Sequence, residues 1–250
     1  MAERMSSATW RSSDMRLLIT RPEPEASRFA ETVRPLGVEP CVYPLLDYTP
    51  LAFDGRAIED ASALIVTSSA ALRALSATVW IAAARQRPLY AVGNETASRA
   101  KMLGIHVAAF AETANELADK LKERQAPGPL AYLSGLHRSF DLETSLSEAR
   151  IAVYTLEVYD MIEKKFFPDW LIGELKDGKM DGVLLMSART AGIFVSLCQE
   201  HDIEDAVQPL SYFCLSEAVA AKLAPLSPKT ALIAARPAKH AIVELISSRA

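Results

Sequence analysis

The segments SALIVTSSAALRAL (62–75) and DGVLLMSARTAGIF (181–194) share one layout, and this layout decides the fold class. In each segment an apolar run ends in Ser or Thr and is followed by apolar residues at helical spacing. A continuous apolar run predicts a strand that is covered on both faces, as in a parallel sheet. A strand followed directly by a helix therefore predicts an α/β unit.

The same layout recurs from Arg16 to the end of the chain. The further predicted strands are RLLIT (16–20), PLYAVG (88–93), PLAYLS (129–134), SYFCLS (211–216) and TALIAA (230–235). Helical segments lie between them. This alternation predicts an open α/β sheet with right-handed crossovers.

The chain also contains two copies of one arrangement. Two more pairs of segments match: PLYAVGNETASRAKMLG (88–104) with SYFCLSEAVAAKLAPL (211–226), and CVYPLLDY (41–48) with AVYTLEVY (152–159). The last pair places Tyr48 opposite Tyr159. Two similar α/β lobes explain the repeat most simply. A single sheet of eight or more strands is the competing arrangement.

The charge balance argues against a nucleic-acid partner. The chain has 250 residues, with 27 Lys and Arg against 31 Asp and Glu, which gives a net charge of −4. No block of basic residues stands out. No apolar stretch approaches the roughly 18 residues of a membrane span, so we expect no membrane partner. Nothing in the sequence demands a partner chain, and we expect a monomer.

The spacing of the cysteines indicates the cellular location, and the lack of metal and phosphate motifs limits the cofactors. Cys41, Cys198 and Cys214 are widely spaced and odd in number, which is typical of reduced thiols in a cytoplasmic protein. The chain has no Cys/His cluster with metal-ligand spacing and no glycine-rich phosphate loop, so we expect neither a metal nor a nucleotide. Residues 1–15 are polar and lack the apolar core of a signal peptide, which predicts a disordered leader.

Small polar residues lie at the predicted carboxyl ends of the strands, where helices begin. In open parallel sheets, ligands bind outside these ends. Helix N–H groups and hydroxyls there are suited to anions. For any single Ser or Thr, helix capping alone is the better-supported interpretation, but the set favours an anion-binding cleft between two lobes. The residues are Thr20, Thr67, Ser68, Ser69, Gly93, Ser134, Gly135, Ser187 and Ser216.

Several segments carry a family resemblance. They are LLITRPEPEASRFAETVRPLGVEPCVYPLLDYTPL (17–51), TSSAALRAL (67–75), AVGNETASRAKMLG (91–104) and TLEVYDM (155–161). In order and spacing they are similar to the T-R-P, T-S-x-x-A-V-R, V-G-x-x-T-A and V-Y-x-x segments of uroporphyrinogen-III synthases. The resemblance runs from about Arg16 to the C-terminus.

This resemblance implies a fold of two flavodoxin-like, three-layer α/β lobes with parallel sheets, joined by a two-stranded linker. Lobe one would comprise 16–44 plus 162–250, and lobe two 48–156. The linker strands would lie at 45–51 and 155–161. The repeat seen in the sequence is consistent with this division.

The resemblance also implies an activity. Uroporphyrinogen-III synthases cyclise the linear tetrapyrrole hydroxymethylbilane, an octa-carboxylate, with inversion of ring D and loss of water. They need no metal and no organic cofactor. Loss of water needs a proton donor, and Tyr159 matches the linker tyrosine of the family. An aromatic ring that merely packs on the linker is an equally good interpretation of Tyr159, and water or the substrate itself could also be the acid.

Matches to the family motifs nominate substrate-binding residues. Thr20 and Arg21 match T-R-P, although capping and a solvated surface charge are the alternatives for them. Further matches nominate Thr67, Ser68, Ser69, Gly93, Thr96 and Ser187. Ser134, Gly135 and Ser216 are nominated by their places at predicted strand ends.

The chain departs from the family pattern near its end. Where the family has G-x-x-T-A, this chain has SEAVA (216–220), so that Val219 replaces the threonine. Two alternatives to an active synthase stay open, and the substitution is the feature that favours the second. One is a non-catalytic two-lobe protein that binds a polycarboxylate or a tetrapyrrole, and the other is a synthase-like module for regulation or assembly.

Overall fold

The computed structural model describes residues 15–138 and 140–249. The predicted leader lies outside these residues, apart from Met15. The chain divides into two compact units. Unit 1 comprises the described residues up to Asp47 and from Glu163 onward, and unit 2 comprises Tyr48–Ile162.

The described residues form eleven strands and twelve α-helices. The strands are β1 (Met15–Ile19), β2 (Val38–Val42), β3 (Leu46–Pro50), β4 (Ala63–Val66), β5 (Leu89–Val92), β6 (Val107–Ala111), β7 (Leu130–Gly135), β8 (Val153–Glu163), β9 (Gly182–Leu185), β10 (Ser211–Cys214) and β11 (Thr230–Ile233). The helices are α1 (Glu25–Val33), α2 (Arg56–Asp60), α3 (Ser69–Ser76), α4 (Ile81–Ala84), α5 (Asn94–Met102), α6 (Ala114–Glu123), α7 (Leu142–Ser147), α8 (Asp169–Lys176), α9 (Ala188–Glu200), α10 (Glu204–Val207), α11 (Glu217–Ala221) and α12 (Lys239–Ser247).

Unit 1 is built on a five-stranded sheet with the order β11-β10-β9-β1-β2. All four neighbouring pairs are parallel. Numbered along the chain within the unit, this is the flavodoxin order 2-1-3-4-5. The carboxyl ends of β1, β9, β10 and β11 therefore meet at one edge.

The unit 1 sheet is covered on both faces. Helices α1 and α12 pack on one face, against strand residues that include Leu17, Leu184 and Phe213. Because side chains alternate along a strand, Tyr212 points to the other face. There its ring centroid lies 6.0 Å from that of Phe194 on α9. Burial on both faces explains why these strands read as continuous apolar runs.

Unit 2 is built on a six-stranded sheet with the order β3-β8-β7-β4-β5-β6. The neighbouring pairs from β8 to β6 are parallel. Numbered from β4, these five strands have the order 3-2-1-4-5, which also occurs in doubly wound sheets. The second sheet thus differs in strand order from the flavodoxin type expected for both lobes.

Both faces of the unit 2 sheet are also buried. Leu64, Val66 and Leu133 pack on one face with α3 and α5. Ile65 and Tyr132 pack on the opposite face with α6 and α7. This is the three-layer α/β arrangement that alternating strands and helices predict.

The predicted α/β class with parallel sheets is confirmed, and each of the seven apolar runs forms a strand. The competing single sheet is wrong, because the strands form two separate sheets. Strand β2 was not predicted, and neither was strand β6. The sequence of β6, VAAFA, contains three alanines, which have weak strand propensity, and the strand lies at the sheet edge with Phe110 41% exposed.

Candidate functional site

A cavity of about 370 Å³ lies at the carboxyl end of the unit 2 sheet. Parallel pairing of β4, β5, β6 and β7 brings the ends of these strands to one edge, where ligands of open α/β sheets bind. Polar residues line much of the cavity: Thr67, Ser68, Thr113, Tyr132, His137, Arg138 and Tyr159.

Two helices begin at this cavity. The Ser68 hydroxyl caps α3 by accepting a hydrogen bond from the Ala70 N–H at 3.2 Å. The Thr113 hydroxyl caps α6 by accepting one from the Glu116 N–H at 3.2 Å. Helix N-termini carry partial positive charge, and both caps leave other first-turn N–H groups outside the helix hydrogen-bond pattern. The arrangement favours a negatively charged ligand.

A pair of hydroxyls forms part of the cavity wall. The Thr67 and Tyr132 oxygens lie 3.1 Å apart, at hydrogen-bond distance. Burial raises the pKa of Tyr132, although the Thr67 hydrogen bond and the nearby Arg138 charge act in the opposite direction. Tyr132 is therefore a neutral hydrogen-bonding group over the physiological pH range.

The segment after β7 brings the His137 imidazole and the Arg138 guanidinium to the cavity. Arg138 Nη2 lies 3.6 Å from a Glu157 oxygen, and His137 Nε2 lies 3.7 Å from an Asp160 oxygen. Both separations exceed a normal hydrogen bond, and a partly exposed ion pair such as Arg138–Glu157 is weak. A carboxylate ligand can therefore compete with Glu157 for the Arg138 guanidinium.

Tyr159 enters the cavity from β8. Its ring stacks on that of Tyr48, with centroids 6.0 Å apart and an interplanar angle of 23°. The Arg73 guanidinium lies 4.1 Å from the Tyr48 ring centroid, in a cation–π contact. Burial raises the pKa of Tyr48, and the Arg73 charge partly opposes this effect.

A family model described as uroporphyrinogen-III synthase HemD matches residues 27–244. The chain belongs to the uroporphyrinogen-III synthase family. Members of this family are enzymes of tetrapyrrole synthesis that act on a small-molecule tetrapyrrole. The predicted family, and with it the function in porphyrin biosynthesis, are confirmed.

Solved structures with the same fold belong to this family. A uroporphyrinogen-III synthetase from Helicobacter pylori is 18% identical, with a TM-score of 0.63 over 94% of this chain and 99% of the other. A mutant uroporphyrinogen III synthase from Thermus thermophilus is 16% identical, with a TM-score of 0.60 over 94% and 96% of the two chains. At these identities the likeness shows the fold alone. No curated protein sequence matches the chain.

Four of the nominated residues line this one cavity: Thr67, Ser68, Gly135 and Tyr159. The other nominated residues of unit 2 are not among its lining residues. Ser69 is the first residue of α3, and Gly93, with a φ of +80°, precedes α5. Thr96, in the first turn of α5, is buried. The buried Ser134 hydroxyl has no hydrogen-bond partner among the described residues.

The remaining nominated residues lie in unit 1. Thr20 is fully buried, and its hydroxyl donates to the Leu184 carbonyl at 2.7 Å. Arg21 follows it and is partly exposed. The Ser187 hydroxyl caps α9 by accepting from the Thr190 N–H at 3.1 Å, whereas Ser216 precedes α11 without such a bond. Substrate binding by these residues stays a prediction.

Four polar cavity residues were not nominated from the sequence: Thr113, Tyr132, His137 and Arg138. Thr113 had a visible signal, because Thr113 and Glu116 have capping-box spacing before a helix. Arg138 lies three residues after Gly135, which the sequence did place at a strand end. Tyr132 gave no such signal, since it reads as one more residue of an apolar strand.

A larger cavity of about 750 Å³ lies along α7 and shares His137 and Arg138 with the first. Its other polar residues include Asp141 and Glu143. These carboxylates repel an anion, so the smaller cavity fits a polycarboxylate better. In the part of the chain that the structure describes, no three His, Cys, Asp or Glu residues are grouped to hold a metal, and no helix is long and apolar enough to cross a membrane.

Proposed function

We propose that the chain is a lyase that cyclises hydroxymethylbilane to uroporphyrinogen III, with inversion of ring D and loss of water. One observation carries the proposal: in a chain of this family, Tyr159 lines a cavity whose other walls carry anion-binding groups. The proton donor and the carboxylate contacts that the reaction needs are thereby close together.

In this proposal Tyr159 supplies the proton for the departing hydroxyl group. The C–O bond of the hydroxymethyl group breaks, the oxygen leaves as water, and a cationic azafulvene remains. The azafulvene carbon bonds to the substituted α-carbon of ring D and gives a spiro intermediate, and the bond that held ring D to the chain then breaks. The methylene carbon so released bonds to the other α-carbon of ring D, which loses a proton that can return to the phenolate. The reaction as written needs no oxidant, reductant or metal.

The carboxylates of the substrate account for the other groups of the cavity. The N-termini of α3 and α6 and the Arg138 guanidinium attract negative charge locally in a chain whose net charge is −4. Fixing several carboxylates restricts the flexible tetrapyrrole and brings its ends together. Such restriction lowers the entropic cost of cyclisation.

The proposed reaction can be tested directly. Hydroxymethylbilane, freshly made by its upstream synthase, is mixed with the protein, and the oxidised products are separated into types I and III. We expect type III uroporphyrinogen in excess over the spontaneous type I product. A product mixture that does not change when the protein is added contradicts the proposed function and favours a non-catalytic binding module.

Because Tyr159 is the proposed acid, removal of its hydroxyl oxygen should lower the reaction rate strongly. Tyr159→Phe keeps the ring but removes the proton donor, and the type III rate should fall by about 10²–10⁴-fold. Tyr154→Phe is the matched control, because Tyr154 lies on the same strand, is 47% exposed and is not among the cavity residues. An unchanged rate in Tyr159→Phe would leave water or the substrate as the acid.

We further propose that the protein acts in the cytoplasm as a monomer. Its three cysteines are free thiols, and burial raises the pKa of Cys41 and Cys214 to about 11, which keeps them unreactive at neutral pH. Sedimentation analysis at micromolar concentration tests the monomer, and fractionation of the source cells tests the location.

A further inference from the structure

Gly135 has no backbone requirement for glycine. Glycine is needed where φ is positive, and Gly135 is not among the glycines with a positive φ, which include Gly93 and Gly104. It ends β7, a strand whose six residues are all buried. The reason for a glycine at this position therefore lies in what approaches it.

What approaches Gly135 is the ring of Tyr159. A Cβ atom added to Gly135 would lie 2.7 Å from Cζ and 2.9 Å from the hydroxyl oxygen of Tyr159. Both distances are shorter than a van der Waals contact, so any other residue at 135 would push the ring away. The phenol thus occupies the space that a side chain would otherwise take.

A β-bulge directs the ring into this space. Ser134 pairs with Glu157, but Gly135 pairs with Tyr159, so β8 contains one extra residue between the two pairs. That residue, Val158, is fully buried and packs in the same apolar cluster that Tyr159 contacts. In a regular strand two consecutive side chains point to opposite faces, and the bulge allows both to face one side.

The neighbouring strand on the other side of β8 limits the ring further. Tyr48 lies on β3, and Tyr159 stacks on it with a centroid separation of 6.0 Å. The ring is therefore confined between an aromatic neighbour on β3 and the glycine on β7. Confinement of this kind fixes where the hydroxyl lies at the cavity.

We propose that Gly135 is a positioning residue for Tyr159, and not a residue that itself binds substrate. Its missing side chain sets the place of the phenol hydroxyl relative to the reacting group. The proposal rests on the proposed function, in which Tyr159 is the acid. The sequence suggested that Gly135 contacts the substrate directly, and the proposal gives it an indirect role instead.

Gly135→Ala tests the proposal. The atoms that must move are the end of a side chain, so the variant should fold, with Tyr159 displaced by roughly one ångström. Misplacement on that scale costs about 10²-fold in rate, and we expect this loss in kcat while KM stays within about twofold. Gly173→Ala in α8 is the control, because an added Cβ there meets no atom within 4 Å.

A second background decides whether the effect passes through Tyr159. In Tyr159→Leu the ring is absent, and Gly135→Ala should cause no further loss of kcat and no further fall in melting temperature. An equal loss of kcat in both backgrounds would overturn the positioning role, and so would an unchanged kcat in Gly135→Ala alone. A wild-type chain that forms no type III product overturns the proposed function instead, which separates the two failures.

Discussion

At the scale of the single residue, Thr20 shows how a predicted contact residue serves the fold. Its hydroxyl donates to the Leu184 carbonyl of the neighbouring strand, and its side chain has no exposed surface. Removing a buried hydrogen-bond donor costs about 1–3 kcal/mol. We expect Thr20→Val to lower the free energy of unfolding by about this amount, measured by urea titration, and to leave the affinity for uroporphyrinogen III unchanged.

Thr20→Ser is the matched control, because it keeps the hydroxyl and removes only a methyl group. It should be closer to wild type in stability than Thr20→Val. The result that would restore Thr20 as a substrate contact is the reverse one. In that case product affinity falls in Thr20→Val while the unfolding free energy stays within error of wild type.

Single residues also show the limit of sequence reading. Tyr159 and Gly135 were both nominated, but the pattern gave no sign that they contact each other, since a one-residue bulge in β8 brings them into register. Val219 could be recognised only as a departure from the family. In the structure it is buried in unit 1, where a threonine hydroxyl would need a partner.

At the scale of the element, the starts of α9 and α11 can be compared directly, because a serine precedes each helix. Ser187 caps the 13-residue helix α9, and Ser216 precedes the 5-residue helix α11 without a side-chain cap bond. Ser187→Ala should therefore lower the free energy of unfolding by about 1 kcal/mol, and Ser216→Ala should lower it by only a few tenths of a kcal/mol.

Urea unfolding followed by circular dichroism measures both variants, and each is the control for the other. Equal losses would show that capping does not distinguish the two serines. Affinity for the product is measured alongside. A fall in affinity for Ser216→Ala without a loss of stability would support its nomination as a substrate contact.

Elements were predicted from sequence more completely than contacts were. Strands such as β4 and β9 have continuous apolar runs, because both faces of their sheets are buried. The edge strand β6 lacks that signal. Strand order was beyond the pattern as well, since the order 3-2-1-4-5 in unit 2 depends on contacts between distant segments.

At the scale of the whole molecule, the net charge of −4 does not decide what the protein binds. Electrostatic attraction acts over short distances at physiological ionic strength, where the Debye length is about 8 Å. The helix N-termini and Arg138 at the cavity therefore attract an anionic ligand more strongly than distant carboxylates repel it. This is why the acidic composition and a polycarboxylate ligand are compatible.

The division into two units predicts that each folds alone. Unit 2 is continuous and has buried clusters on both faces of its sheet. In unit 1, the Lys164 N–H donates to the Leu45 carbonyl at 3.0 Å, so the chain enters and leaves the unit at neighbouring positions. A loop of about four residues can therefore replace unit 2.

We expect a chain of residues 48–162, and a chain in which a Gly-Ser loop joins residue 47 to 163, each to unfold cooperatively in urea. The native circular dichroism spectrum should equal the weighted sum of the two, because each sheet lies within one unit apart from the end residues of β3 and β8. A fragment with a random-coil spectrum would show that its core depends on the other unit, and that the two units form one folding domain.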